Sequence, residues 1–124
     1  MRVFKSKVFA RFARGEQIAD TALCQAVERA ERGLVDAELG SGLIKQRIAR
    51  TGAGRSGGFR TLLAFRSKVR SVFVYGFAKN ERDNISGREL EFWRATAASF
   101  LAMTDRHIGN LIDAGDLMEV ICDV

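Results

Sequence analysis

The sequence predicts an α+β fold: two N-terminal helices, an antiparallel β-meander forming a small twisted sheet, and a C-terminal helix. Three observations predict it. Apolar residues recur at helical spacing before residue 35 and again after residue 86. Between 43 and 79 the pattern changes to short runs rich in branched and aromatic residues, separated by brief turns. At 124 residues, 47% hydrophobic and without proline, the chain has the length for one core rather than two.

Taken in order, Phe4, Val8 and Phe12 recur every fourth residue in a stretch ending at Gly15, the pattern of a short amphipathic helix with Lys5, Lys7, Arg11 and Arg14 outside. Asp20 is placed to cap a second helix that buries Leu23, Val27, Ala30 and Leu34 and stops near Gly33. In "LIKQRIAR" the period becomes two, with Ile44 and Ile48 on one side and Lys45 and Arg47 on the other. "FRTLLAFR" and "SVFVYGFAK" follow after a glycine-rich turn and a turn near Ser67 to Arg70, and short loops between successive strands favour antiparallel pairing. Ser86 with Glu89 forms a capping box ahead of a helix whose buried stripe is Leu90, Trp93, Ala97, Phe100 and Leu101. "HIGNLIDAGDLMEVI" reads as a short helix stopped at Gly115 and a few extended residues. The expected layout is a single domain over 1–124, with a core over 1–105, a solvated tail over 106–124, and the helices on one face of the sheet.

Several classes of chemistry are excluded by composition. One histidine and two widely spaced cysteines exclude a zinc cluster, and His107 in "TDRHIGN" reads as a solvated side chain rather than a base. Cys24 and Cys122 are expected as two reduced structural thiols. No apolar run approaches the roughly 20 residues of a membrane span, so no membrane partner and a cytoplasmic location are expected. Gly52, Gly54 and Gly57 spell G-x-G-x-x-G, but a strand pattern follows where a dinucleotide loop needs a helix, and no acid lies about 20 residues on. No cofactor is expected.

Charge is segregated. Between Glu38 and Glu81 there is no acid, while Lys45, Arg47, Arg50, Arg55, Arg60, Arg66, Lys68, Arg70 and Lys79 supply nine of the chain's 20 cations. Arginines outnumber lysines by 15 to 5, and the guanidinium fork suits phosphate oxygens. A polyanionic partner is the expectation.

The phrase "KQRIARTGAGRSGGFRTLLAF" followed by "GFAKNERDNI" resembles the RelE/HigB toxin superfamily, with a basic strand, a G-G-x-R strand start and a K-N-E strand end in the same order and spacing. The resemblance implies a compact microbial-ribonuclease-like α+β fold and a toxin of a type II toxin–antitoxin system, closest to the HigB branch. It implies a metal-independent endoribonuclease that cleaves messenger RNA on the ribosome, and a cognate antitoxin of helix-turn-helix or acidic type. Such cleavage needs a group to accept the 2′-hydroxyl proton, positive charge on the transition-state phosphate, and a donor for the leaving oxygen. Positive neighbours favour the neutral form of an amine, which makes Lys45 the candidate base beside Arg47. Arg60 falls on the G-G-x-R arginine and would stabilise the transition state; Arg47 would bind the scissile phosphate; Lys79 falls on the K-N-E lysine and would contact phosphate or deliver a proton. Arg50, Arg55 and Asn80 would hold flanking RNA. Asn80 stands where relatives carry a second base, and Tyr75 and Phe77 are expected to pack as strand residues. The alternative is a non-catalytic protein on the same fold: a ParE-like gyrase poison or an RNA-binding module.

Overall fold

The computed structural model describes residues 1–49, 58–79 and 85–122. In chain order the elements are β1 (Arg2–Ser6), α1 (Lys7–Gly15), α2 (Asp20–Glu31), β2 (Ala37–Gly40), β3 (Leu43–Ile48), β4 (Phe59–Arg66), β5 (Arg70–Ala78), α3 (Gly87–Ala102), α4 (Asp105–Asp113) and β6 (Leu117–Val120). The expected meander β3–β4–β5 is the centre of a six-stranded sheet of order β2-β3-β4-β5-β1-β6. Only β1 and β5 run parallel; the other described pairings are antiparallel.

The N-terminus departs from the expected helix. Val3 and Phe4 are both buried, in different cores, as neighbours on a strand covered on both sides must be. The four-residue spacing of Phe4, Val8 and Phe12 spans the junction of a strand and a helix, and Val8 is 54% exposed. Ser6, whose hydroxyl accepts from the Phe9 N–H, caps α1. The cap of α2 is Ala19 rather than Asp20; the Asp20 carboxylate sits in the first turn and pairs with Lys5 at 3.0 Å. Leu34, expected inside α2, lies beyond it and is exposed, because the chain turns at Gly33 (φ +81°).

Helices cover both faces of the sheet, not one. Val3, Ile44, Ile48, Phe59, Leu63 and Phe73 form one core with α1 and α2. Phe4, Leu43, Leu62, Ala64, Val72 and Val74 form the other with α3 and α4. The near-continuous apolar character of β4 and β5 is the consequence, since both sides of each strand are buried. The expected solvated tail is instead structural: α4 buries Ile108 and β6 pairs with β1 at the sheet edge away from β3 and β4.

Three polar anchors tie the layers. Buried Gln46 donates to the carbonyls of Ala26 and Leu34 and accepts from the Asp36 N–H, fixing β3 to the end of α2. Arg70, with 8% of its side chain exposed, donates to the Phe100 and Met103 carbonyls and to Asp105, joining β5 to the end of α3 and the start of α4. Cys24 and Cys122 form a disulfide, so the expectation of two free thiols is wrong: the return of the chain to α2 after β6 brings their Cα atoms to 5.5 Å, within bridging distance. A sequence separation of 98 hides that proximity.

A candidate RNA-cleaving face

The end of the sheet where β3 stops and β4 starts carries the candidate site. Arg47 stands directly opposite Arg60 in the antiparallel register, and Lys45 stands two pairs further, opposite Leu62. All three therefore project from the α3/α4 side of the sheet, the side of Leu62 and Ala64. Lys45 and Arg60 are half-buried and Arg47 is exposed.

The backbone under these side chains is held firmly. The Arg47 N–H donates to the Asp36 carboxylate at 2.6 Å, and the Arg29 guanidinium donates to the Arg47 carbonyl. Thr61, buried next to Arg60, donates its hydroxyl to the Gln46 carbonyl at 2.9 Å. Across β4, a bulge leaves Val74 of β5 between the pairs Leu62–Tyr75 and Leu63–Phe73. The extra residue turns Tyr75 and Phe77 toward the Arg60 side, with Phe77 directly opposite Arg60. Phe77 is buried and Tyr75 stacks on Trp93 of α3 at 4.9 Å, so both pack as strand residues, as expected.

Lys79 follows β5, with its N–H donating to the Gly58 carbonyl at 3.3 Å, which places it beside the start of β4, two residues along the chain from Phe77 of the Arg60–Phe77 rung. Gly58 itself was not singled out in the sequence. A Cβ built there would meet the Ile48 carbonyl oxygen at 3.2 Å and stand 3.9 Å from both Arg47 Cγ and Arg60 Nη1. The bare glycine keeps the space between the two arginines open, and the G-G in G-G-x-R was the signal that could have found it.

Electrostatically this is a cluster of like charges, with the Asp36 carboxylate held by the Arg47 backbone N–H rather than by a charged side chain. Among the described residues, no ion pair or side-chain hydrogen bond engages Lys45, Arg47, Arg60 or Lys79. Like charges directly opposite on neighbouring strands destabilise a sheet, and a bound anion converts that cost into binding. Arg50, Arg55 and Asn80, the expected flanking contacts, lie outside the described residues, as do the glycines of the G-x-G-x-x-G pattern. His107 is exposed on α4, in an element distant in the sheet order from β3 and β4. A cavity of about 480 Å³ lies on the opposite face, lined by residues such as Gln25, Ile48 and Phe59. Its only cation among the described residues is Arg29, which is already engaged with the Arg47 carbonyl.

The family described as the RelE toxin of the RelE/RelB toxin–antitoxin system matches residues 1–120. The chain belongs to the RelE toxin family. No curated protein matches it. RelE toxins belong to toxin–antitoxin pairs and are generally ribonucleases that inhibit translation, which makes a cognate antitoxin the partner of this chain. The matched span includes α4 and β6. No helix among its described residues is long and apolar enough to cross a membrane.

Proposed function

We propose that the chain is a ribosome-dependent messenger RNA endonuclease of the HigB-like branch, acting in the cytoplasm without a metal and neutralised by an antitoxin of helix-turn-helix or acidic type. The observation that carries this reading is the Arg47–Arg60 rung with Lys45 beside it: three cations on one partly open surface whose charged side chains have no ion-pair partner among the described residues. Such a surface repels a divalent metal and attracts a phosphodiester.

In the reaction, Lys45 Nζ takes the proton of the 2′-hydroxyl as O2′ bonds to the adjacent phosphorus. Arg60 and Arg47 hold the non-bridging oxygens, whose charge grows in the transition state. The bond from phosphorus to O5′ breaks, and Lys79 delivers the proton that leaves a 5′-hydroxyl and a 2′,3′-cyclic phosphate. Asn80, in place of a second base, supports the HigB-like assignment; with Arg50 and Arg55 it contacts RNA on either side of the scissile bond.

Expression of the chain should stop growth and create new messenger RNA 5′ ends within translated codons, and Arg60→Ala should remove both effects. DNA breaks and filamentation in their place would identify a gyrase poison. Growth arrest by the Arg60→Ala protein equal to that of the parent would remove Arg60 from the mechanism.

A further inference from the structure

We propose that the outward row of α1, formed by Lys7, Arg11 and Arg14, is a second RNA-binding site, one that takes the phosphate backbone of base-paired RNA. The proposal rests on the reading of the chain as acting on RNA. Residues at i, i+4 and i+7 lie along one side of a helix, and at 1.5 Å per residue the row is about 10 Å long. All three side chains are exposed. Among the described residues none has an ion-pair partner, and no acid precedes Glu16 in the chain. Lys5 shows the contrast: a cation of the same segment that is tied down, by Asp20 at 3.0 Å.

The inward side of α1 makes the row rigid. Phe9, Ala10 and Ala13 are buried, Phe9 packs on Phe73 with ring centroids 5.1 Å apart, and the missing side chain at Gly76 admits Phe12 against the strand. Ordering costs for the helix are thereby met before any ligand arrives.

The ligand class follows from what the row lacks. Single-stranded RNA is gripped by aromatic platforms on which bases stack, and both aromatics of α1 are turned inward. A membrane surface requires an apolar face to insert, and Val8 is the one exposed large hydrophobic on the helix. Cations alone, held at fixed spacing, suit the sequence-independent backbone of a duplex. Position adds to this. Helix α1 lies on the α1/α2 face of the sheet, opposite to Arg47 and Arg60, and its last turn reaches the same rim, where Phe12 meets Phe59 of β4 at 5.7 Å. A strand lying across Arg47 and Arg60 does not reach the far face, so the row engages a separate, folded segment of RNA.

The test uses the full chain carrying Arg60→Ala, so that RNA survives the measurement, with and without the triple change Lys7→Gln, Arg11→Gln and Arg14→Gln. The probes are an RNA hairpin with an uninterrupted stem, a single-stranded RNA of equal length, and vesicles rich in phosphatidylserine. The triple change should weaken hairpin binding on the order of tenfold to a hundredfold near physiological salt, and flatten its log–log salt slope by about 2–3. Loss on the single strand should be smaller, so that the preference for hairpin falls. Unchanged hairpin affinity and slope, an equal loss on both RNAs, or binding to vesicles in place of hairpin would overturn the proposal. Growth arrest that survives Arg60→Ala, together with a hairpin slope that still falls, would reject the catalytic assignment and leave the duplex site standing.

Discussion

Arg70 and Arg60 come from the same acid-free run and from adjacent strands, yet they occupy opposite chemical situations. At the Arg70 end of the sheet, the C-terminus of α3 lies over the strands; Phe100, Met103 and Asp105 consume the guanidinium, and Arg66 donates to the Leu101 carbonyl at 3.3 Å. At the Arg60 end no helix carbonyl takes up the guanidinium among the described residues, and Arg60 faces Arg47. A run of cations in a sequence is therefore two things in the structure. Where a helix ends over it, arginine supplies donors to orphan carbonyls; where the surface stays open, the same residue is left for an external anion.

The sharpest way to break this contrast is to exchange the expected consequences of the two arginines. Arg70→Leu leaves the last carbonyls of α3 without donors in a buried setting, and should cost about 3–5 kcal/mol in denaturant unfolding. Arg60→Ala should leave the unfolding midpoint unchanged or slightly raised, because it removes a like-charged cross-strand neighbour. Its effect belongs on the reaction, where loss of one transition-state donor costs on the order of 10²–10³ in cleavage rate. Large destabilisation by Arg60→Ala, or wild-type stability of Arg70→Leu, would erase the distinction.

How far the sequence disclosed this division can be argued from the same residues. Lys45 and Arg47 were legible as one face of β3 because a period of two is unambiguous when cations and isoleucines alternate. Arg60 and Lys79 were legible through the G-G-x-R and K-N-E phrases. Arg70 was legible only as one more positive charge, since its partners at Phe100, Met103 and Asp105 are about 30 residues away and two are backbone carbonyls. β1 was missed, and β6 was read only as a few extended residues without a place in the sheet, for a related reason: five- and four-residue strands have too few positions to show a period, and their identity comes from pairing with each other and, for β1, with β5. β2 is equally short, and its bulge between Glu38 and Gly40 breaks alternation further.

The disulfide adds a second test of where stability resides. Cys24 and Cys122 lock the β6 side of the sheet to α2, far in strand order from the open β3–β4 end. Reduction opens a loop of nearly the whole chain and should cost about 2–4 kcal/mol, lowering the melting temperature by roughly 10 °C. Cys122→Ser should reproduce that shift and make the melting temperature insensitive to reductant. If reduction changed cleavage while leaving melting unaltered, the bridge would belong to the open end instead.

Gly76 sits beneath the open end but on its sealed side. A Cβ there would approach Phe12 to 2.5 Å and Phe9 to 3.0 Å, so Gly76→Ala should overpack the α1 contact and cost about 1–3 kcal/mol by denaturant titration. Cleavage should persist in whatever fraction stays folded. Loss of activity at full stability would mean that the two faces are not independent.

The smallest effect concerns the exposed counterpart of Arg70. Arg2 of β1 grips Glu119 of β6 with two hydrogen bonds, at 2.9 and 3.0 Å, at a largely solvent-exposed position. The hydrogen bond from Arg2 holds the Glu119 carboxyl below its ordinary range, and the same bond raises Arg2. A carboxyl lowered on folding contributes its stability above the unfolded value and loses it as pH falls through the lower folded value, so the contribution is present at neutral pH and disappears in acid below about pH 4. Screening by solvent and salt limits the contribution to about 0.2–1 kcal/mol. Glu119→Gln should therefore lower stability slightly at pH 7 and not at pH 3, and the difference should shrink in concentrated salt. A loss at pH 7 as large as that of Arg70→Leu would show that burial does not separate the two arginines, and that the open end of the sheet owes its unpaired charge to something other than missing cover.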